Sequence, residues 1–255
     1  MTLARTVSIL APAFNEAQNI EGAVGDAIDA AAEADLADFE IIIVDDGSTD
    51  ETPDISDRLA RQLDRVRVIH HPTNRGLAAA YLTGLEHARM NYYTFTGGDR
   101  ELHRDSLRDI LRCVGRATVI VPYHGTPEKR ERHRRILTWV STTQLNMMFG
   151  LKLRYFQGPC VYPTALARML PHTCTGFYFA TERLVHALVA GHSWVEVPLR
   201  HEPRTSGRSK AVSVKQIVRA EAFIWRLWWG IRVRGQLAVP RVAPGLAHIA
   251  VEGAD

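Results

Sequence analysis

The sequence predicts an α/β protein with a doubly wound, mainly parallel sheet and a helical C-terminal elaboration. In the first half of the 255-residue chain, short β-rich segments alternate with helical segments, as right-handed βαβ crossovers require. Residues 39–44 form an almost continuous β-branched run, which is typical of a strand covered on both faces. A composition of 46% hydrophobic and 23% charged residues is that of an ordinary globular protein and excludes a disordered chain.

The elements follow in order along the chain. The first strand is predicted over residues 5–11 and is ended by Pro12, and the helix after it carries Ile20, Val24 and Ile28 at helical spacing. Further strands are predicted at residues 39–44, 66–69, 92–95, 117–121 and 194–199. Helices are predicted at residues 76–88, in a long segment that ends at residue 149, and around residue 182. We expect three units: a main domain at 1–212, an amphipathic helix at 213–237 and a flexible tail at 238–255.

Cysteine usage, hydropathy and charge exclude several classes of protein. The three cysteines, Cys113, Cys160 and Cys174, form no CxxC pair, so neither a disulfide framework nor a zinc site is predicted. The N-terminus is not typical of a signal peptide, and the most apolar run, residues 220–231, is interrupted by charges. We therefore expect a cytoplasmic location.

A net charge of +3 is mild, and no aromatic interleaving accompanies the basic segments, so no nucleic-acid partner is predicted.

Polar and acidic residues follow four of the predicted strands. They lie in the segments 12–16 (PAFNE), 44–50 (VDDGSTD), 70–76 (HHPTNRG) and 96–101 (TGGDRE). Because ligands of open parallel sheets bind outside the carboxyl ends of the strands, we expect Asp45, Asp46, Asp99 and Glu101 to share one ligand-binding edge. The alternative is that DDGSTD is only a turn, since Asp, Gly and Ser favour turns. No GxGxxG follows the first strand, and GxxxxGK and HExxH are absent, which argues against a dinucleotide fold, a P-loop and a zinc protease.

Five blocks together resemble a known family. PAFNE, VDDGSTDET, NRGLAAAYLTGLEHA, EVP at 196–198 and RTSGRSK at 204–210 resemble, in order and spacing, the family 2 glycosyltransferases of GT-A fold. The resemblance covers roughly residues 5–215 and is greatest to the dolichyl or polyprenyl phosphate mannose and glucose synthases. It implies a nucleotide diphosphate sugar as donor. The residues that it assigns to the nucleobase and ribose are Pro12, Phe14, Glu16, Val44, Asp45 and Asp46.

The metal motif implied by the resemblance is altered in this chain. The family pattern is DxD followed by a Gln two residues later, whereas here Gly97 replaces the first Asp and Glu101 replaces the Gln. Asp99 keeps the second position. Two carboxylates can still hold Mg²⁺ or Mn²⁺ when a diphosphate supplies further oxygens, so we expect a metal at Asp99 and Glu101. The alternative is a metal-independent or inactive relative.

Phosphate contacts are implied for the basic segments. The resemblance assigns Arg135, with Arg134 as the register alternative, and Arg204, Ser209 and Lys210 of a loop that we expect to be mobile. The arginine that this branch often carries after the fifth strand is absent, and Tyr123 and His124 stand there.

Two further features concern the acceptor. Glu182 falls where many family 2 enzymes carry an acidic residue near the acceptor, and the alternative is a Glu on a helix surface. Residues 217–233 combine three tryptophans with three arginines, which suits either a helix at a membrane surface or a core helix with extended arginines.

The predicted function is inverting transfer of a hexose from a nucleotide diphosphate sugar to a polyprenyl, dolichyl-like, phosphate. An acceptor phosphate is a nucleophile at neutral pH and needs no strong base. The implied partners are the donor, the lipid phosphate and the inner face of a membrane, contacted peripherally. The alternatives are transfer to a sugar or natural-product hydroxyl, for which Glu182 is the candidate base, and a catalytically silent nucleotide-sugar binder.

Overall fold

The computed structural model describes residues 3–98, 102–125, 132–173, 178–199 and 214–242. The strands in these ranges are β1 (Thr6–Ala13), β2 (Asp38–Asp45), β3 (Val66–His70), β4 (Tyr92–Phe95), β5 (Val119–His124), β6 (Tyr162–Pro163) and β7 (Trp194–Leu199). The α-helices are α1 (Ile20–Ala32), α2 (Thr52–Gln62), α3 (Leu77–His87), α4 (Arg104–Arg112), α5 (Arg132–Phe149), α6 (Thr164–Met169), α7 (Phe179–Val189) and α8 (Val214–Trp228). A π-helical turn, Trp229–Val233, continues α8.

The central sheet is mainly parallel, as predicted. Its order is β3-β2-β1-β4-β6, and β5 and β7 form a second, parallel pair. The short strand β6 runs antiparallel to β4, and its neighbour Val161 forms an antiparallel bridge with Ile120 of β5. Because this segment is antiparallel to both neighbours, β5 and β7 run in the same direction as β4. The carboxyl ends of β1–β5 and β7 therefore lie at one edge.

Helices cover both faces of the sheet, which confirms the doubly wound α/β prediction. The apolar layer that includes α1, α2 and α4 packs on the odd-numbered side chains of β1, such as Ile9. The opposite layer contains Leu10 and residues of α3 and α5–α8, with Tyr81 and Leu184 almost fully buried. The alternation follows from the two-residue period of a strand.

The first strand is longer than its sequence predicts, because Pro12 does not end it. Leu10 O accepts a hydrogen bond from Thr96 N, so the backbone groups of residues 10 and 12 face β4. Pairing with β4 stops at Leu10, so the missing N–H of Pro12 removes no ladder hydrogen bond. Pairing with β2 continues to Ala13, which lies opposite Asp45, so the loop after β1 begins beside the end of β2.

The C-terminal segment packs on the main domain. One face of α8 is buried in the same core as α3 and α7, through Phe223, Ile224 and Leu227. Val239 is also buried, and Val242 N donates to Ala190 O, although the sequence predicts a loose tail from residue 238. Residues 243–255 lie outside the described ranges.

Candidate active site

The loops that follow β1 and β2 are joined by hydrogen bonds between side chains and backbone. Asn15 N donates to Ser48 Oγ at 2.9 Å, and Thr49 N donates to Asn15 Oδ1 at 2.8 Å. Glu16 N donates to Thr52 Oγ1 at 2.8 Å. The side chains of Asn15, Ser48 and Thr52 thus satisfy backbone N–H groups that would otherwise lack partners. Two of the segments singled out from the sequence therefore form one preassembled unit.

A cleft of about 520 Å³ opens between these two loops. Glu16 lines it, and its Oε2 accepts a hydrogen bond from Asn19 Nδ2 at 2.8 Å. The lining residues are Asn15, Glu16, Ala17, Gln18, Asn19, Asp50 and Glu51. Of the other predicted nucleotide contacts, Phe14 is 44% exposed, whereas the side chain of Val44 is fully buried in the core. Any contact from Val44 to a nucleotide would have to use its backbone.

Asp45 is buried at the end of β2 and joins that strand to its neighbour. Its Oδ1 accepts from Ser48 N at 3.1 Å, and its Oδ2 lies 2.8 Å from His70 Nδ1. His70 Nε2 reaches Asp57 Oδ1 at 3.3 Å. Burial lowers the pKa of His70, but hydrogen bonds and charge attraction from the two carboxylates outweigh it and raise this pKa above its ordinary value of 6.5.

Asp46 is also buried, and it organises the loop after β3. Oδ1 accepts from His71 Nδ1 at 2.7 Å and from Arg75 N at 2.9 Å, and Oδ2 accepts from Gly76 N at 2.7 Å. His71 Nε2 lies 2.9 Å from Thr83 Oγ1 on α3. A carboxylate offers about four acceptor sites, so roughly one remains for a ligand. The role of Asp46 in nucleotide binding stays a prediction, and its structural role is an additional finding.

The loops after β2 and β3 approach each other too closely for a side chain at residue 47. Gly47 has φ +75°, and a Cβ there would lie 2.5 Å from Thr73 C in the facing backbone. Only glycine fits this combination of left-handed backbone and close contact. The pattern DDG is therefore explained by packing between loops as well as by turn formation.

The predicted metal ligands, Asp99 and Glu101, lie outside the described residues, so their prediction is untested. The last described residue before them, Gly98, packs against the end of β1: a Cβ there would lie 2.3 Å from Pro12 O. Within the described ranges, no cluster of three or more His, Cys, Asp or Glu side chains could hold a metal ion.

Glu182 is buried in α7, so the alternative of a Glu on a helix surface is wrong. Its side chain accepts hydrogen bonds from Thr173 N at 2.9 Å and from Thr173 Oγ1, and the residue is only 2% exposed. Four residues of the loop between them, 174–177, lie outside the described ranges. A catalytic role for Glu182 remains a prediction.

The predicted phosphate contacts are mostly outside the described residues. Arg204, Ser209 and Lys210 fall in the segment 200–213, which is not described, and nothing is known of the side chain of Arg134. Arg135 is described and exposed in the first turn of α5.

One arginine at this edge was missed by the sequence analysis. Arg154 N donates to Glu196 Oε1 at 2.7 Å, and the guanidinium of Arg154 lies over the ring of Tyr123, 4.5 Å from its centre. The EVP block contains Glu196, but its partner is 42 positions away along the chain and carries no motif of its own. Only the fold brings the two residues together.

Comparisons with known proteins agree with this architecture. The profile of Glycosyl transferase family 2 matches residues 8–172, well over half of the chain. Glycosyltransferase AglD of Haloferax volcanii is 29% identical over 240 residues, which are 91% of this chain and 38% of that protein. The undecaprenyl-phosphate mannosyltransferase of Micrococcus luteus is 25% identical over 241 residues, 90% of this chain and 96% of that enzyme. The chain thus spans little more than a third of the first relative and almost all of the second.

Solved structures share the fold at low sequence identity. Glucosyl-3-phosphoglycerate synthase from Mycobacterium tuberculosis, in complex with Mn²⁺, UDP and phosphoglyceric acid, superposes with a TM-score of 0.62 at 17% identity, covering 89% of this chain and 78% of that one. Staphylococcus aureus TarS with UDP-GlcNAc gives 0.59 at 16% identity, covering 87% and 66%. At these identities the likeness supports the GT-A fold. The family match and the shared fold together make this chain a member of glycosyl transferase family 2.

Proposed function

We propose that this glycosyltransferase moves a hexose from a nucleoside diphosphate sugar to a polyprenyl phosphate, with inversion at the anomeric carbon. The observation that carries the proposal is the similarity to an undecaprenyl-phosphate mannosyltransferase along 90% of this chain and 96% of that enzyme. Because the match extends over nearly all of both chains, it includes the segments that we assign to the acceptor as well as those that we assign to the donor. The sugar and the nucleobase are left open by an identity of 25%.

The burial of Glu182 supports a phosphate acceptor over a hydroxyl acceptor. A hydroxyl must lose a proton during attack, which requires a base within reach of the acceptor oxygen. Glu182 is buried, and both of its carboxylate oxygens accept hydrogen bonds from Thr173. A phosphate monoester is already anionic near neutral pH, so its oxygen attacks without such a base. The protein then has to align two phosphate-bearing substrates and balance their charge.

The donor would bind along the carboxyl ends of β1 and β2. The preassembled loops offer the cleft lined by Glu16 and one remaining acceptor site on Asp46 for N–H or O–H groups of a base and ribose. Because these loops are already fixed by hydrogen bonds, little ordering entropy is lost when the nucleotide binds. Arg135, Arg204, Ser209 and Lys210 remain the proposed contacts for the phosphates.

The pair Asp99 and Glu101 suits a divalent metal by its chemistry and its place in the chain. Both are hard oxygen ligands of the kind that Mg²⁺ and Mn²⁺ prefer, and Gly98, which precedes them in the loop after β4, packs against the end of β1. A related structure of the same fold holds Mn²⁺ together with UDP. When bound, such an ion would neutralise charge on the departing diphosphate. We expect EDTA, Asp99→Asn or Glu101→Gln to lower turnover strongly while leaving the melting temperature nearly unchanged.

Two neighbouring helices carry exposed apolar side chains that suit a lipid surface. On α8 and its π-helical continuation, Val218, Trp225 and Trp229 lie at positions i, i+7 and i+11 and are each more than half exposed. The apolar residues exposed on α5 are Ile136, Trp139, Val140 and Met147. The two helices are joined by a hydrogen bond from Gln144 to Glu221 of 2.7 Å.

Charge favours an anionic bilayer as the occupant of this surface. The described arginines Arg219, Arg226 and Arg232 are exposed on the same C-terminal segment. Exposed tryptophans beside arginines are typical of peripheral helices at the headgroup level. Among the described residues, no helix has the length and hydropathy of a bilayer-spanning segment. We therefore propose peripheral contact with the membrane that holds the polyprenyl phosphate.

A single-turnover assay tests the proposed function. The purified chain is mixed with each of a panel of nucleotide sugars, with Mn²⁺ and a short polyprenyl phosphate, and the products are separated and identified. Transfer of the sugar to the lipid phosphate is the expected result. Donor cleavage that requires a hydroxyl acceptor instead would support the alternative reaction. Donor binding without cleavage under any condition would support a catalytically silent relative, in line with Gly97.

A further inference from the structure

The loop after α5 brings a guanidinium to the carboxyl end of β5. The guanidinium of Arg154 lies 4.5 Å from the centre of the Tyr123 ring, and the Arg154 side chain is 63% exposed. The strand β5 runs parallel to β4, so its carboxyl end lies at the same edge as Asp45 and Asp46. Arg154 therefore stands on the edge of the sheet where ligands of such folds bind.

The backbone beside Arg154 is fixed on two sides. Asn146 forms reciprocal hydrogen bonds with Leu153, donating to its carbonyl at 2.8 Å and accepting from its N–H at 3.0 Å. The next N–H, that of Arg154, donates to the buried carboxylate of Glu196 at 2.7 Å. Stacking on Tyr123 then restricts the side chain itself. A cation held in this way loses little conformational freedom when it meets an anion.

The terminal nitrogens of Arg154 are available to a ligand. Its Nε lies 3.9 Å from Glu196 Oε2, a loose ion pair, and its Nη atoms form no hydrogen bond with another described residue. These Nη atoms belong to the planar fork of donors that matches phosphate oxygens. An arginine needed only to neutralise Glu196 would pair with it closely.

We infer that Arg154 binds a phosphate group of a substrate, with Tyr123 and Glu196 as positioning residues. The inference rests on the proposed function, which supplies a donor diphosphate and an acceptor phosphate. Strand β5 ends in Tyr123 and His124 and offers no arginine of its own, so the fold supplies the cation from a loop about thirty residues later. Either phosphate-bearing substrate fits this chemistry, and the test below separates the two.

The test compares Arg154→Gln with a matched control, Arg61→Gln, which removes an exposed arginine on α2. Calorimetry in the presence of Mn²⁺ measures binding of UDP, GDP, inorganic pyrophosphate and farnesyl phosphate, with the free nucleosides as probes that lack phosphate. Loss of a charged hydrogen bond is expected to weaken binding of at least one phosphate probe about tenfold. Affinity for the nucleosides, and every affinity of the control variant, should stay at the wild-type level.

The pattern of losses identifies the phosphate. Weaker binding of pyrophosphate and nucleoside diphosphate assigns Arg154 to the donor, whereas weaker binding of farnesyl phosphate alone assigns it to the acceptor. Tyr123→Leu should produce a smaller loss of affinity for the same probe, because the guanidinium of Arg154 remains but no longer contacts an aromatic ring. Wild-type affinity of Arg154→Gln for every probe that the wild type binds would overturn the inference. Failure of the wild type to transfer sugar to any polyprenyl phosphate would refute the proposed acceptor and leave the donor measurement decisive for Arg154.

Discussion

The two halves of the sheet edge formed by the carboxyl ends of the strands are built differently. At the ends of β1–β3, acidic side chains are buried and their oxygens accept hydrogen bonds from neighbouring loops, as Asp45 and Asp46 do. In the half formed by β5 and β7, the carboxylate of Glu196 accepts a hydrogen bond from Arg154 N, and the guanidinium of Arg154 lies over Tyr123 on an exposed side chain. The first half is held by its own polar network, whereas the second presents a solvent-exposed cation.

The sequence motifs at the ends of β1–β3 have a structural role. PAFNE, VDDGSTDET and HHPTNRG contain the residues that join three loops, so changing one of them disturbs several contacts. The residues of these motifs therefore stabilise the loops at the ends of β1–β3. Among the described residues, the β5–β7 half has fewer hydrogen bonds between loops, so its exposed residues can be exchanged with less effect on stability.

The largest effect is expected from Asp46→Ala. The substitution removes the acceptor for His71 Nδ1, Arg75 N and Gly76 N, so that Nδ1 of the buried imidazole loses its partner. Unfolding in urea should show a loss of about 3 kcal/mol, and nucleotide affinity should fall with it. Asp64→Ala, at an exposed turn position, is the control and should change stability by less than about 0.5 kcal/mol. Equal stability of the two variants would contradict the structural role of Asp46.

The fold was largely predictable from the sequence, whereas the side-chain network was not. Strand and helix positions follow from hydrophobic periodicity, and strand 92–95 agrees with β4 residue for residue. The end of β1 was misplaced because the effect of Pro12 depends on whether β4 still pairs there. The contact of Arg154 with Tyr123 depends on tertiary packing between segments far apart in the chain, and periodicity carries no information on it.

A second prediction separates the exposed and buried faces of α8. The double substitution Trp225→Ser with Trp229→Ser should weaken binding to anionic liposomes at least tenfold, or by about 1.4 kcal/mol, because both rings are half exposed. The melting temperature should change little. Leu227→Ala, on the buried face, should instead destabilise the protein by about 2–4 kcal/mol and leave liposome binding of the folded fraction intact. Cosedimentation and thermal melts measure the two effects, and unchanged cosedimentation of the Trp variant would exclude this face as the membrane contact.

A third, smaller effect is expected from Glu182→Gln. If the acceptor is a phosphate, no base is needed, and turnover should fall less than tenfold, roughly 1 kcal/mol in the activation barrier. Part of that loss would come from a lost hydrogen bond to Thr173. The amide of Gln has one NH₂ group in place of a carboxylate oxygen, and this group cannot accept a hydrogen bond from Thr173. A decrease of more than a hundredfold in single-turnover rate, with an unchanged melting temperature, would identify Glu182 as a base and favour a hydroxyl acceptor.

The smallest effect concerns the pH dependence of the β2–β3 junction, through His70 between Asp45 and Asp57. Because the two carboxylates raise the pKa of His70 in the folded state, the protonated imidazole stabilises the fold. That contribution is fully present below the unfolded pKa of about 6.5 and is lost as the pH rises through the raised folded value. More than a third of the ring is exposed, so solvent screening should keep it below about 1 kcal/mol. Urea unfolding at pH 5.5 and pH 8.5 should therefore show wild type losing more stability than His70→Asn on going to the higher pH. An equal pH dependence in both proteins would show that the pairing of His70 with the carboxylates adds nothing to the stability of the β2–β3 junction.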